Sequence, residues 1–451
     1  MCEFLLPPVW MCCNRPWPGL NKRLNNNKGL NMRYRMIVQF AELSLKGKNR
    51  HRFIKKLRKN IKDKLKALDY EWPVIAIHDR IYVNVADNVS RETAKQVVHE
   101  LARLPGIAWL SFVYWFNEQH YQFLLNKPEL TALHDLLARL AREHYQPDHS
   151  FAVRVKRRDK RFAMKSQDFE REIATTILQH SDWQKVNLSQ PDQTFYVDIA
   201  SDGVSVHCEK IIGVGGLPVG STGQVLTLLS GGFDSPVAAW LMAKRGCQTD
   251  FIHFTAGHQP LADIEQDKIV RTAKIVSESS GFVRLFMVPY TYFDLALMEL
   301  DLDYDLILFR RFMARVATEL MPLIESQALV TGDNLGQVAS QTLENMESMN
   351  KSTDAMILRP LLSYNKQDII ALSADLGLFE VCREPHKDCC ALISKNPRTR
   401  SRSYVLENLE QTHLANYQDL INETLADAIE LTFYFGQLVN KQSIDRRIHG
   451  Q

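Results

Sequence analysis

The sequence predicts a multidomain protein of mixed class: a small ferredoxin-like α+β unit, a second mixed unit, and an α/β unit built on a doubly wound parallel sheet. Three observations predict it. From Met36 onward the hydrophobic periods run strand, helix, strand, strand, helix, strand, the order of a split βαβ unit. From Val225 the pattern changes to short apolar strands separated by helices, as parallel strands buried on both faces read. The chain has 451 residues, room for two to four domains at roughly 100–200 residues each.

Residues 1–35 are rich in Cys, Trp, Pro and Asn and carry neither period; they read as a disordered extension, or as translation from a start upstream of Met36. Met36–Phe40 is a strand. Phe53, Leu57, Ile61 and Leu65 recur every four residues with Lys and Arg between them, an amphipathic helix with a basic outer face. Strands Ile75–Ile77 and Ile81–Val85 and helix Arg91–Arg103 follow, and the ferredoxin-like unit is bounded at 36–95. The second unit, 96–211, holds helix Leu130–Tyr145, strand Phe151–Val155, the basic turn KRRDKR, helix Ser166–Gln179, and strands Thr194–Ile199 and Val204–Cys208. A Gly-rich connector follows, with 212–224 as linker. It fails the dinucleotide fingerprint, because Pro218 stands where a third Gly is needed after Gly213 and Gly215.

The third unit spans 225–400. Its strands are Val225–Leu229, Thr249–Phe254, Val283–Val288 and Ala328–Thr331. Its helices are Pro236–Lys244, Leu261–Ser279, Leu306–Leu320 and Lys366–Leu376. Residues 401–451 are expected to form a helical extension around Ala415–Leu438.

Composition narrows the function classes. With 45% hydrophobic and 24% charged residues the chain is neither disordered nor fibrous, and no apolar run approaches the ~18 residues of a membrane span. The net charge of +3 hides an asymmetry: Lys46–Lys66 carries +10 and Arg154–Lys165 carries +6, leaving −13 for everything else. A basic front on an acidic body suits a polyanion such as RNA, although a lysine-rich helix face is also commonly just solvated. The eight cysteines form no secreted framework, and the N-terminus has no basic residues ahead of an apolar patch broken by Pro7 and Pro8. A reducing, cytoplasmic compartment is expected, with no membrane partner.

The chemistry concentrates in one loop. Val225–Leu229 runs into Ser230-Gly231-Gly232-Phe233-Asp234-Ser235, then Pro236 and an apolar helix ending at Gly246. The glycines permit close backbone approach and Ser230 and Ser235 offer hydroxyls. Pro236 suits the first helical turn, whose N–H groups and positive dipole end attract phosphate. The Walker A lysine and spacing are absent. Farther on, LVTGDNLGQVASQT (329–342) is a second strand-to-loop junction, expected beside the first at the C-terminal strand edge. It reads either as a helix-capping turn or as the rest of a nucleotide pocket.

SGGFDS resembles the pyrophosphate loop of the ATP pyrophosphatases, which cleave ATP between the α and β phosphates. Together with LVTGDNLGQVASQT, Ile357–Leu361 and Cys390-Ala391-Leu392-Ile393-Ser394-Lys395, in that order, it resembles the tRNA uracil 4-sulfurtransferases (4-thiouridine synthetases, the ThiI family). FAELSLKGKNRHRF and VRVKRRDKRF resemble that family's ferredoxin-like and THUMP RNA-binding domains, so the likeness covers roughly 36–400.

The resemblance implies a PP-loop ATP pyrophosphatase domain. That domain adenylates O4 of a tRNA uridine, usually at position 8, and sulfur from a cysteine persulfide then displaces AMP. It implies ATP contacts at Leu228, Leu229, His253, Phe254, Arg310, Gly332 and Gln341, with Ser230, Gly231, Gly232 and Ser235 cradling phosphate. Asp234 is then a catalytic or metal-positioning carboxylate, with Mg2+ accompanying ATP, and Lys366 stabilises charge or is a surface lysine. No protein metal site is assigned. The sulfur acceptor is Cys390 or Cys389, with Cys382 or the adjacent thiol resolving it; inert buried thiols and a metal or iron–sulfur site are the alternatives. The expected partners are tRNA, a cysteine desulfurase as persulfide donor, a separate rhodanese or sulfur-carrier protein, and a second copy in a homodimer. The chain is expected to lack the C-terminal rhodanese domain that many members carry. Competing readings are sulfur delivery to a carrier protein for thiamine thiazole synthesis, adenylation coupled to amide transfer, and non-catalytic RNA binding.

Overall fold

The computed structural model describes residues 32–42, 49–77, 80–117, 131–256, 264–297, 304–338, 340–386, 400–414 and 416–444. The chain divides into two units, Tyr114–Cys208 and Tyr34–Val113 with Glu209 onward.

In the larger unit the first strand, β1, runs Met32–Phe40, so residues 32–35 join a sheet rather than the expected disordered extension. Arg35 is buried there and donates to Asn84 across the strand pair, at 2.8 Å. Helix α1 (Arg50–Ala67) buries Leu57, Ile61 and Leu65, as the four-residue spacing requires. Strands β2 (Val74–Ile77) and β3 (Arg80–Asn84), helix α2 (Arg91–Ala102) and strand β4 (Ile107–Asn117) complete a sheet ordered β2-β3-β1-β4, the antiparallel ferredoxin-like arrangement. The expected boundary at 95 falls inside α2 and is overturned; a helix whose Val97, Val98 and Leu101 are buried cannot be divided there. The Gly-rich connector is also partly corrected. Ile211–Gly215 is a strand, β9, pairing with the first residues of β4.

In the smaller unit, helix α3 (Thr131–Glu143), strand β5 (Ser150–Arg157), helix α4 (Ser166–His180), strand β6 (Lys185–Val186), and strands β7 (Gln193–Ala200) and β8 (Gly203–His207) form the second mixed fold. The order is β6-β5-β7-β8 with Tyr114–Asn117 beside β8. Phe151, Phe195 and Trp183 meet edge to face in its core.

The remaining sheet is doubly wound. Strands β10 (Gln224–Leu228), β11 (Gln248–Thr255), β12 (Phe282–Pro289), β13 (Ala328–Val330) and β14 (Ile357–Leu358) are parallel in the order β14-β13-β10-β11-β12. Between β10 and β13 the winding reverses, and at such a point the loops diverge and leave a crevice for ligand. Helices α5 (Asp234–Lys244), α6 (Lys268–Ser280), α7 (Thr291–Leu297), α8 (Asp305–Leu323), α9 (Leu343–Asn350), α10 (Lys366–Asp375) and α11 (Phe379–Arg383) cover it.

The C-terminal region differs from expectation. Helices α12 (Ser403–His413) and α13 (Tyr417–Ala426) are followed by strands β15 (Ile429–Tyr434) and β16 (Gln437–Ser443), which extend the sheet antiparallel to β12. Leu431 and Phe433 are fully buried, so the β period of this stretch decides over its helical propensity. Among the described residues no helix is long and apolar enough to cross a membrane.

Candidate functional site

A cavity of about 350 Å³ opens at the switch point and is lined from the loops after β10, β11 and β13. Leu228, Leu229, Ser230, Gly232, Asp234, Ser235, His253, Phe254, Arg310, Gly332 and Gln341 all line it; Gly231 lies in the same loop but is not part of its wall.

The loop after β10 is held by its own serines. The Ser230 N–H donates to Ser235 Oγ at 2.8 Å, and the two hydroxyls are 3.0 Å apart. Helix α5 starts at Asp234, two residues before the expected Pro236, with no side chain capping its N-terminus. Its first-turn N–H groups are thus without a side-chain acceptor at the cap, the condition under which a helix N-terminus suits an anion. Gly332 packs directly on this turn: a Cβ there would lie 2.6 Å from Ser235 N and 2.8 Å from the Asp234 carbonyl carbon. Glycine at 332 is thus what lets the second loop reach the first.

Asp234 and Lys366, far apart in sequence, meet. Lys366 Nζ, on the first residue of α10, donates to Asp234 Oδ1 and Oδ2 at 2.8 and 2.7 Å. Gln337, present in the second motif but unassigned from sequence, donates to Asp234 Oδ2 at 3.2 Å. Lys366 itself is exposed at the start of α10, as the surface-lysine alternative has it, but it is ion-paired to a carboxylate of the cavity wall.

Arg310, on α8, crosses to the second loop. It donates to Asp333 Oδ1 at 2.6 Å and to the Ser340 carbonyl at 3.0 Å, while Arg359 Nε donates to Asp333 Oδ2 at 3.1 Å. Burial alone would push Asp333 up, but the two guanidiniums, with the Thr331 hydroxyl, hold its carboxyl below the usual range. Sequence reasoning missed Asp333; its signal was a carboxylate beside Gly332 with arginines elsewhere to pair. On β11, His253 Nδ1 bonds the Leu229 carbonyl at 2.8 Å, and Phe254 packs edge-on against Phe309.

Cys389 and Cys390 lie outside the described residues. The chain leading toward them is anchored: buried Lys268 donates to the carbonyls of Cys382 and Glu384 at 2.9 and 2.7 Å, and Arg271 pairs with Glu384. The His386 ring sits 5.7 Å from that of His253 at the cavity. Cys382 is buried in the core, and burial pushes its thiol up to about 11, so it suits a packing role better than a nucleophilic one. Cys247 is buried and Cys208 half-buried. Among the described residues no three His, Cys, Asp or Glu side chains are grouped to hold a metal.

The basic segments divide. On α1, Arg52, Lys55, Lys59, Lys62 and Lys66 are exposed, whereas Lys64 is buried, donating to the Glu278 carbonyl at 3.1 Å and pairing with Glu100 at 3.0 Å. In the turn after β5, Arg157 donates to the Phe162 and Met164 carbonyls and Arg161 pairs with Asp159, while Lys156, Lys160, Arg161 and Lys165 are exposed.

Known proteins share this arrangement. The family described as thiamine biosynthesis protein (ThiI) matches residues 220–414, the ThiI ferredoxin-like domain matches 35–111, and the THUMP domain matches 128–209. A probable tRNA sulfurtransferase of Staphylococcus aureus is 33% identical over 414 residues, covering 90% of this chain and 97% of its own. Among solved structures, a 4-thiouridine synthetase in complex with RNA and bound ATP is 28% identical with a TM-score of 0.76, over 89% of this chain and all of the other. A Pyrococcus horikoshii protein, 21% identical with a TM-score of 0.56 over 76% of this chain and all of its own, shares the fold.

Proposed function

Because the chain belongs to the ThiI family of tRNA sulfurtransferases, we propose that it adenylates a tRNA uridine at O4, at position 8, and replaces that oxygen with sulfur to give 4-thiouridine. The observation that carries this reading is the cavity at the β10/β13 switch point, where a phosphate loop and the Asp234–Lys366 pair meet.

ATP would lie with its phosphates on the Ser230–Ser235 loop and the α5 N-terminus, and its base toward Leu228, His253 and Phe254. Arg310, fixed by Asp333, offers positive charge to the phosphates. Of the two carboxylates lining the cavity among the described residues, Asp333 is clamped between two arginines. Mg2+ would therefore be held by Asp234, in exchange for part of its pairing with Lys366, and by phosphate and water oxygens, neutralising phosphate charge. The uridine O4 attacks the α-phosphorus and pyrophosphate leaves. Lys366, 2.7 Å from Asp234, can follow charge onto the phosphates as it develops. To reach ATP the target base must leave its stack.

In the second half reaction the terminal sulfur of a persulfide on Cys390 or Cys389 attacks C4, and AMP departs with its bonding electrons. A second thiolate then breaks the S–S bond, leaving the thiocarbonyl on the base and a disulfide for external reduction. A cysteine desulfurase supplies the persulfide, and the reaction runs in the cytoplasm. Cys382, buried and with its thiol near 11, fits poorly as the resolving group.

Nucleoside mass spectrometry of tRNA from a deletion strain tests the assignment. Loss of 4-thiouridine, restored by the intact gene and not by Asp234→Ala, is expected. Unchanged 4-thiouridine in the deletion strain would remove it.

A further inference from the structure

A second cavity, of about 280 Å³, lies between α1 and the catalytic sheet. From α1 it is lined by Lys56, Lys59, Asn60 and Asp63, and its other walls include Pro105, Gly220, Ser280, Phe282 and Tyr434. The wall is tied together by Asn60, whose Nδ2 donates to the Val219 carbonyl at 3.1 Å. Charge inside it does not balance. Asp63 is taken by Lys59 at 2.8 Å and by the Tyr434 hydroxyl. Lys56 has neither a hydrogen-bond nor an ion-pair partner among the described residues. Its ammonium sits over Gly220, where a Cβ would be only 2.5 Å from Nζ. Gly220 has φ +75°, a backbone conformation that strains any side chain, so glycine keeps this wall open to the lysine.

A half-buried cation whose one nearby carboxylate, Asp63, is already ion-paired to Lys59 gains from a ligand that supplies further negative charge. Burial, with Lys59 nearby, lowers the pKa of Lys56 against the weaker pull of Asp63, the direction an arriving anion would reverse. We propose that this cavity is a phosphate site taking one backbone phosphodiester of RNA, with Lys56 as its cation. The proposal rests on the tRNA reading above. One unpaired lysine matches the single charge of a phosphodiester rather than the several charges of free pyrophosphate. Exposed Arg52, Lys55, Lys62 and Lys66 continue the positive charge along the same helix, as a polyanion requires.

The full-length protein tests it, with Lys56→Gln and Lys56→Arg compared with wild type by filter binding of tRNA over a salt series, after thermal melting shows each variant folded. Lys56→Gln should bind several-fold more weakly, with a log-affinity against log-salt slope shallower by about 0.7–0.9, and Lys56→Arg should restore both. A scan of single methylphosphonates, which remove one phosphate charge, should find a position that weakens wild type and leaves Lys56→Gln unaffected. Equal slopes together with equal losses at every position overturn the proposal. So does inorganic pyrophosphate that binds wild type but not Lys56→Gln while the RNA slope is unchanged, which makes the cavity a free-anion site. Wild type that does not bind tRNA at all would instead remove the tRNA reading and this site with it.

Discussion

Three residues carry most of the chemical argument. Lys366→Met leaves Asp234 without its cation, and tRNA-dependent AMP formation should fall on the order of 100-fold, as loss of one transition-state donor does, while tRNA affinity stays within twofold. Radiolabelled ATP turnover and filter binding read the two quantities separately; a parallel loss of both would make Lys366 structural. Asp333 has a depressed pKa, so its stabilising effect is present above its unfolded value, about 3.9, and is lost as pH falls through the lower folded value. The melting-temperature gap between wild type and Asp333→Asn should therefore hold from pH 8 to 5 and close below about pH 4. With its thiol near 11, Cys382 has about one molecule in ten thousand ionised at pH 7. Cys382→Ser should keep thiolation within about threefold of wild type, whereas serine at the acceptor in the later cysteine pair should abolish it. At this scale what was legible in the sequence is which residues come together: ten of the eleven expected around a nucleotide line one cavity. What it did not reveal were partners made by folding, Gln337 and Asp333, whose value comes from a carboxylate or guanidinium brought from another segment.

Among the elements, α8 is the bridge between site and scaffold. Its Arg310 reaches the cavity, and the next residue, Arg311, is fully buried and bidentate to Glu410 of α12 at 2.7 and 2.9 Å, with Arg315 also on Glu410. Glu410→Gln leaves two arginines without their anion and should cost about 3–5 kcal/mol, whereas the Arg311→Met, Glu410→Met double variant should recover much of it. Urea unfolding of the three proteins checks this; a single variant as stable as wild type would make the pair incidental. The parallel strands were readable because both faces are buried, giving continuous apolar runs. The closing hairpin was not. Its turn is Phe435-Gly436, at φ +46° and +85°, a two-residue turn without the usual Asn-Gly signal. Residues 211–215 hid for the opposite reason: their glycines suggest a loop, and Ile212 is 77% exposed, so no apolar face betrays the strand.

For the whole molecule, the split between a basic front and an acidic body was visible in the sequence, but the structure redistributes it. Lys64 caps the end of α6 through the Glu278 carbonyl and Asn60 holds Val219, so part of the basic helix serves the catalytic half of its own chain. The ferredoxin-like segment is grouped with residues from Glu209 onward, and a boundary at 95 falls inside a packed helix. In the function proposed, this assembly couples ATP cleavage between the α and β phosphates to sulfur insertion at one tRNA uridine. The most direct measurement supplies the purified protein with tRNA, α-labelled ATP and a cysteine desulfurase charged with cysteine, and counts AMP and 4-thiouridine together. One AMP per 4-thiouridine, both absent without tRNA or with Asp234→Ala, is the predicted result; 4-thiouridine formed without ATP, or AMP released without tRNA at the same rate, would contradict it.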